Sequence, residues 1–147
     1  DFILRPNPLH PDSIRLEWKD VNSDIPFIAA QLSDGTLRFI CLATLLLQPA
    51  EMMPETILID EPELGLHPYA ISILASLIKK AAVSKQIIIS TQSVELLNEF
   101  EPENVIVVDH DKNQSIFSRP DPASLEAWLE DYTLGDLWKR NILGGRP

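Results

Sequence analysis

Apolar and polar positions along this chain fall into distinct rhythms. From Ser13 to Lys19 they alternate, which predicts a strand with one face in solvent. Thr56 to Asp60 and Gln86 to Ser90 are instead aliphatic without alternation, and Asn104 to Val108 continues in that style. Short unbroken runs of this kind suit parallel strands buried on both faces. Helical spacing separates them. Leu37 to Leu47 is apolar almost all round, which predicts a buried helix stopped by Pro49. Tyr69 to Val83 places Ile71, Leu74, Ala75 and Ile78 on one face, with Pro68 at the favoured first position and Lys79 and Lys80 near the carboxyl end.

Punctuation supplies the rest. Residues 1–12 are proline-rich and read as a linker or edge segment, and Ile25 to Gln31 as a short extended piece. Ser93 is a plausible cap for a short helix to about Phe100. Asp109 to Asn113 predicts a turn, giving an edge hairpin near 104–118. Asp121-Pro122 opens a helix with Leu125, Trp128, Leu129 and Tyr132 on its apolar face, and a last helix holds Leu134 to Ile142 before the tail Gly144-Gly145-Arg146-Pro147. Strand and helix in alternation predict an α/β fold, a mostly parallel three-layer sheet with flanking helices, in a single domain over 1–147.

Composition narrows the function. With 147 residues, 45% hydrophobic and 23% charged, the chain can bury a real core. Its net charge of −10 opposes nucleic-acid binding by this segment alone, since phosphate contacts need a basic surface. No apolar run reaches the roughly 20 residues that span a bilayer. The single Cys41 has no internal disulfide partner, which suggests a reducing, cytoplasmic setting and a core thiol. Trp18, Trp128 and Trp138 are expected in the core too. Starting at Asp1 rather than Met, the chain is expected to be an excised segment.

Candidate chemistry centres on Asp60-Glu61-Pro62-Glu63. Adjacent carboxylates at the end of a buried strand are costly unless they serve a cation or a reacting water. Strand ends of this kind are where open α/β folds bind ligands. The plainer reading is an acidic turn that caps a helix. Leu32-Ser33-Asp34-Gly35-Thr36, read alone, is a turn and helix cap.

Together, Leu32 to Thr36, Ile57 to Glu63 and the strand ending at Thr91-Gln92-Ser93 resemble the signature, Walker B and switch segments of ATP-binding-cassette ATPases. Order and spacing agree, with room for one helix and one strand between Ser33 and Asp60. Glu61 to Pro68 (Glu-Pro-Glu-Leu-Gly-Leu-His-Pro) is most similar to the soluble branch. That branch holds the structural-maintenance-of-chromosomes and RecF-like enzymes and the AAA-type predicted ATPases of overcoming-lysogenization and phage-defence systems. Leu134 to Lys139 and Leu143-Gly144-Gly145 resemble the tail of the last group. The likeness covers about residues 30 to 145.

The resemblance implies ATP and Mg²⁺ as cofactors. It implies that Asp60 holds the metal and Glu61 polarises the attacking water, while Ser33, Asp34, Gly35 and Thr36 meet the γ-phosphate across a homodimer. Two positions depart from the pattern. Gln92 occupies the place of the switch histidine, and can donate a hydrogen bond but not become a cation. Leu66-His67-Pro68 replaces the loop that carries an aspartate in transporters, so His67 either reaches across the dimer or caps a helix. No glycine precedes a lysine, so the phosphate-cradling Gly-x-x-x-x-Gly-Lys-Ser/Thr loop is missing from this chain. The expected partner is therefore an N-terminal ATPase lobe, with a nuclease or DNA reached only through the parent protein. This half alone is expected to be inactive.

Two other functions remain open at this level. Asp109-His110-Asp111 with Glu61 or Glu63 could form a Toprim-like Mg²⁺ nuclease site, against the plainer reading of an acidic hairpin turn. Alternatively the chain is a degenerate, non-catalytic dimerisation module, which Gln92 and the missing phosphate-cradling loop favour.

Overall fold

The computed structural model describes residues 1–22 and 25–145, so the final Arg146-Pro147 of the tail lies outside the described residues. Its strands form three small sheets. β1 (Phe2–Asn7), β2 (His10–Trp18) and β3 (Phe27–Ile28) make an antiparallel meander, so the segment expected as a linker or edge contains a strand paired along its length. A 3-10 turn (Ala29–Gln31) leads to α1 (Asp34–Leu46). β4 (Thr56–Asp60) and β5 (Gln86–Ser90) pair in parallel, Thr56 opposite Gln86 through Asp60 opposite Ser90. They are connected by α2 (Pro68–Ala82), the helical crossover that parallel pairing requires.

The parallel part is confined to those two strands. The third run begins later than its hydrophobicity suggests, because Pro102–Asn104 turns as a 3-10 helix. β6 (Val107–Asp111) then pairs antiparallel with β7 (Gln114–Ser118) rather than joining β5. Lys112 and Asn113 at its tip have positive φ of 46° and 67°, the geometry of a tight hairpin. Asp109 to Asp111 are thus strand residues, and only Lys112-Asn113 turns. α3 (Val94–Leu97), α4 (Pro122–Leu129) and α5 (Leu134–Lys139) complete the α/β architecture. The caps of α3 and α4 are those that the sequence marks: Ser93 accepts from the Leu96 amide and Asp121 from the Ala123 amide.

The main core lies on one side of β4 and β5. Ile57 meets Leu74, Ile78 and Ala81 of α2, with Leu46 and Met53 beside them. Ile71 and Ala75 pack on Leu96, while Leu125, Leu134 and Leu137 form a separate cluster.

The other side of the sheet is bare. Leu58 is 75% exposed and Ile88 48%, so strands predicted to be buried on both faces are buried on one. α1 departs from expectation in the same way. Of its residues only Gly35 and Leu46 are buried, and Cys41, expected in the core, is exposed. Both runs are apolar all round, yet the described residues supply packing for one side only. Trp18 and Trp138 are half-buried. Trp128, expected inside, is 46% exposed because Leu125 takes the inward position of α4. Among the described residues, no helix is long and apolar enough to cross a membrane.

Candidate functional site at the carboxyl end of β4

The acids stand where β4 stops. Asp60 is exposed, and its Oδ1 accepts from the Ser90 hydroxyl at the matching end of β5. Glu61 extends the ladder one step, its N–H donating to the Ser90 carbonyl at 2.9 Å. Its φ is +42°, the left-handed region that a residue with a Cβ occupies only at a cost, roughly 1–2 kcal/mol. Backbone strain of this sort persists where the surroundings impose it. Here they do so twice: the Arg38 Nη1 donates to the Glu61 carbonyl at 3.0 Å, and Pro62 is fully buried next to it.

Beyond Pro62 the loop turns back on β5. Glu63 Oε1 accepts from the Thr91 hydroxyl at 2.6 Å, while Glu63 Oε2 is buried with no hydrogen-bond partner among the described residues. Gln92 is exposed immediately after Thr91. Asp60, Glu61, Glu63 and Gln92 therefore share the exits of two neighbouring parallel strands. His67 is the N-cap of α2, its Nδ1 accepting from the Tyr69 amide at 3.3 Å, which is the capping role weighed for it.

The Ser33 segment joins the same region within one chain. The helix begins earlier than its apolar run, at Asp34, so Asp34, Gly35 and Thr36 form its first turn rather than a preceding loop. Ser33 caps that turn: its Oγ accepts from the Thr36 amide at 3.1 Å and lies 2.8 Å from the Thr36 hydroxyl. The amides of Asp34 and Gly35 belong to the first turn, whose N–H groups have no partner inside the helix and suit an anion. Asp34 adds a carboxylate beside them. Gly35 is buried because its Cα packs on the backbone of Gly65, where a Cβ would collide with the Gly65 carbonyl. This contact brings the helix start against the loop that follows the acids.

Arg38 and Ser90 escape a reading based on motifs alone. The only signal for Arg38 is a lone cation in an otherwise apolar helix, and for Ser90 a hydroxyl at the end of an aliphatic strand opposite an acid. The Asp109-His110-Asp111 triplet behaves differently. Asp109 Oδ1 accepts from the Gly145 amide at 2.9 Å, tying the hairpin to the C-terminal turn. An open cleft of about 590 Å³ adjoins it, lined by Val108, Asp109, His110, Ser115, Asn141 and Gly144, and none of the β4 acids reaches it. Among the described residues, no group of three or more His, Cys, Asp or Glu gathers as a metal site. A single carboxylate such as Asp60 still fits Mg²⁺, which binds through one or two carboxylates plus water and phosphate oxygens.

Known proteins resemble this chain over most of its length. The profile of the family described as "AAA domain, putative AbiEii toxin, Type IV TA system" matches residues 5–98. The phosphate import ATP-binding protein PstB 3 of Natronomonas pharaonis is 27% identical over 124 residues, covering 80% of this chain. The chain spans only 42% of that relative's length. A solved structure from work on ATP-driven dimerization and DNA-stimulated activation of SMC ATPases superposes with a TM-score of 0.65 at 18% identity. That match covers 88% of this chain and 80% of the other, and it establishes likeness of fold.

Proposed function

The chain belongs to the family described as "AAA domain, putative AbiEii toxin, Type IV TA system", and on that premise we propose that it is one half of a cassette-type ATP hydrolase. In this reading it carries the acids and the serine-bearing helix start. The observation that carries the reading is the joint placement of Asp60, Glu61 and Gln92 at the exits of two adjacent parallel strands.

Each residue then has a part in phosphoryl transfer, which depends on positioning and charge neutralisation. Asp60 is the carboxylate that would hold Mg²⁺, and when bound the ion neutralises charge on the phosphates. Glu61, fixed by its backbone bonds, orients and polarises the attacking water. Gln92 donates a hydrogen bond to the γ-phosphate, without the charge that a histidine could add. The first-turn amides at Asp34 and Gly35, with Ser33 and Thr36, meet the γ-phosphate of a second copy.

An N-terminal lobe supplies the lysine-bearing phosphate loop, and the exposed apolar face of Leu58 and Ile88 supports a covering layer of that kind. A homodimer closes around ATP. DNA or a nuclease engages the parent protein, and the overcoming-lysogenization and phage-defence ATPases in the cytoplasm are the group it fits best.

Glu61→Gln in the native gene product tests this reading. Losing a general base costs about 10²–10⁴ in rate, so hydrolysis should collapse while ATP binding persists. Unchanged hydrolysis would refute the assignment.

A further inference from the structure

Gln92 sits between two anchored neighbours. On one side, Thr91 Oγ1 donates to Glu63 Oε1 at 2.6 Å. Thr91 Oγ1 also accepts from the Ser93 amide at 3.0 Å. On the other side, Ser93 Oγ accepts from the Leu96 amide at 3.1 Å and so starts α3. One chain of hydrogen bonds thus runs from the loop after the acids, through Thr91, to a helix cap. Between Thr91 and Ser93 it passes over Gln92, which takes no part in it.

We propose that Glu63 and Thr91 form a latch that positions Gln92 for the reaction, acting as positioning residues rather than touching substrate. This rests on the ATPase reading given above. The Thr91 hydroxyl serves both sides at once, donating to Glu63 and accepting from the Ser93 amide, so the loop after the acids and the start of α3 are joined at the residue next to Gln92. The same contact holds the backbone next to Gln92. Without the Thr91 hydroxyl, the Ser93 amide loses its acceptor and the peptide planes around Gln92 are free to turn.

Thr91→Val, Thr91→Ser and Glu63→Gln in the native gene product test the latch. Thr91→Val keeps shape but removes the hydroxyl. It should lower kcat for ATP about tenfold or more while KM shifts less than about threefold, the mark of a group misplaced in the transition state. Thr91→Ser restores the hydroxyl and should recover most of the rate. Glu63→Gln keeps an acceptor for Thr91 and should fall between them. Amide hydrogen exchange at Ser93 should quicken in Thr91→Val and stay slow in Thr91→Ser. A Thr91→Val enzyme with wild-type kcat overturns the latch, as does one that Thr91→Ser does not rescue. If the wild-type protein hydrolyses no ATP, the ATPase reading fails. Exchange at Ser93 then decides alone whether the latch exists, and unaltered protection in Thr91→Val refutes it.

Discussion

Gly35 and Gly65 meet backbone to backbone, with no room for a side chain on Gly35. The resemblance read from the sequence implies that Gly35 meets a phosphate. The structure supplies a reason internal to the chain: the helix start must approach the loop that leaves the acids. Gly65 contributes a φ of +80°, which a side chain would strain.

Gly35→Ala should therefore destabilise the fold by about 1–3 kcal/mol through overpacking against rigid backbone. Gly65→Ala should cost about 1 kcal/mol, mainly from its backbone conformation. Urea unfolding of both variants checks the order.

Arg38 reaches across to the Glu61 carbonyl, so it acts on the geometry of the acid rather than on its charge. Arg38→Met should lower ATP turnover several-fold and destabilise by about 0.5–2 kcal/mol, the loss of one charge-assisted hydrogen bond. Steady-state kinetics with a melting curve on the same sample separates the two effects.

The bare side of the β4–β5 sheet makes a contrast with its core. Leu74→Ala should cost about 2–5 kcal/mol, since Leu74 is fully buried. Leu58→Ser in this chain alone should stay within about 0.5 kcal/mol of wild type, as surface changes do. The lobe proposed above to cover this face would turn Leu58→Ser into a core lesion in the native gene product, measurable as a lower unfolding midpoint.

Asp136 gives a pH test. The Thr133 hydroxyl, and then the Thr133 amide, hold its carboxyl below the ordinary value of 3.8 as part of the α5 capping box. A depressed carboxylate stabilises above its unfolded pKa, and that contribution fades as pH falls through the folded value. The stability gap between wild type and Asp136→Asn should be full above pH 3.8 and shrink on acidification below it. Denaturation curves at a series of pH values read this directly.

Local patterning made much of this architecture legible. Caps at Ser93 and Asp121, the Pro68 helix start and the α2 face all follow from residues near in sequence. Burial did not follow. Leu58, Ile88 and Cys41 are as apolar as core residues, and hydrophobicity alone does not say whether a covering element belongs to the same chain. The hairpin of β6 with β7 was legible from the turn residues at its tip, Lys112-Asn113. That β6 stays apart from β5 was not, because an aliphatic run fits either a parallel strand or a hairpin arm. At the site, residue types marked Asp60 and Glu61. Arg38 and Ser90, which hold them, are visible only once helix and strand ends meet in space.

The most direct test is the size of the Glu61→Gln native gene product in solution, measured by light scattering with Mg²⁺ and with or without ATP. Trapped before hydrolysis, it should be a dimer with ATP and a monomer without it, and adding Ser33→Arg to the same chain should abolish the dimer. A mass that ignores ATP, or a dimer indifferent to Ser33→Arg, would contradict a nucleotide shared between the acids of one copy and the serine turn of another.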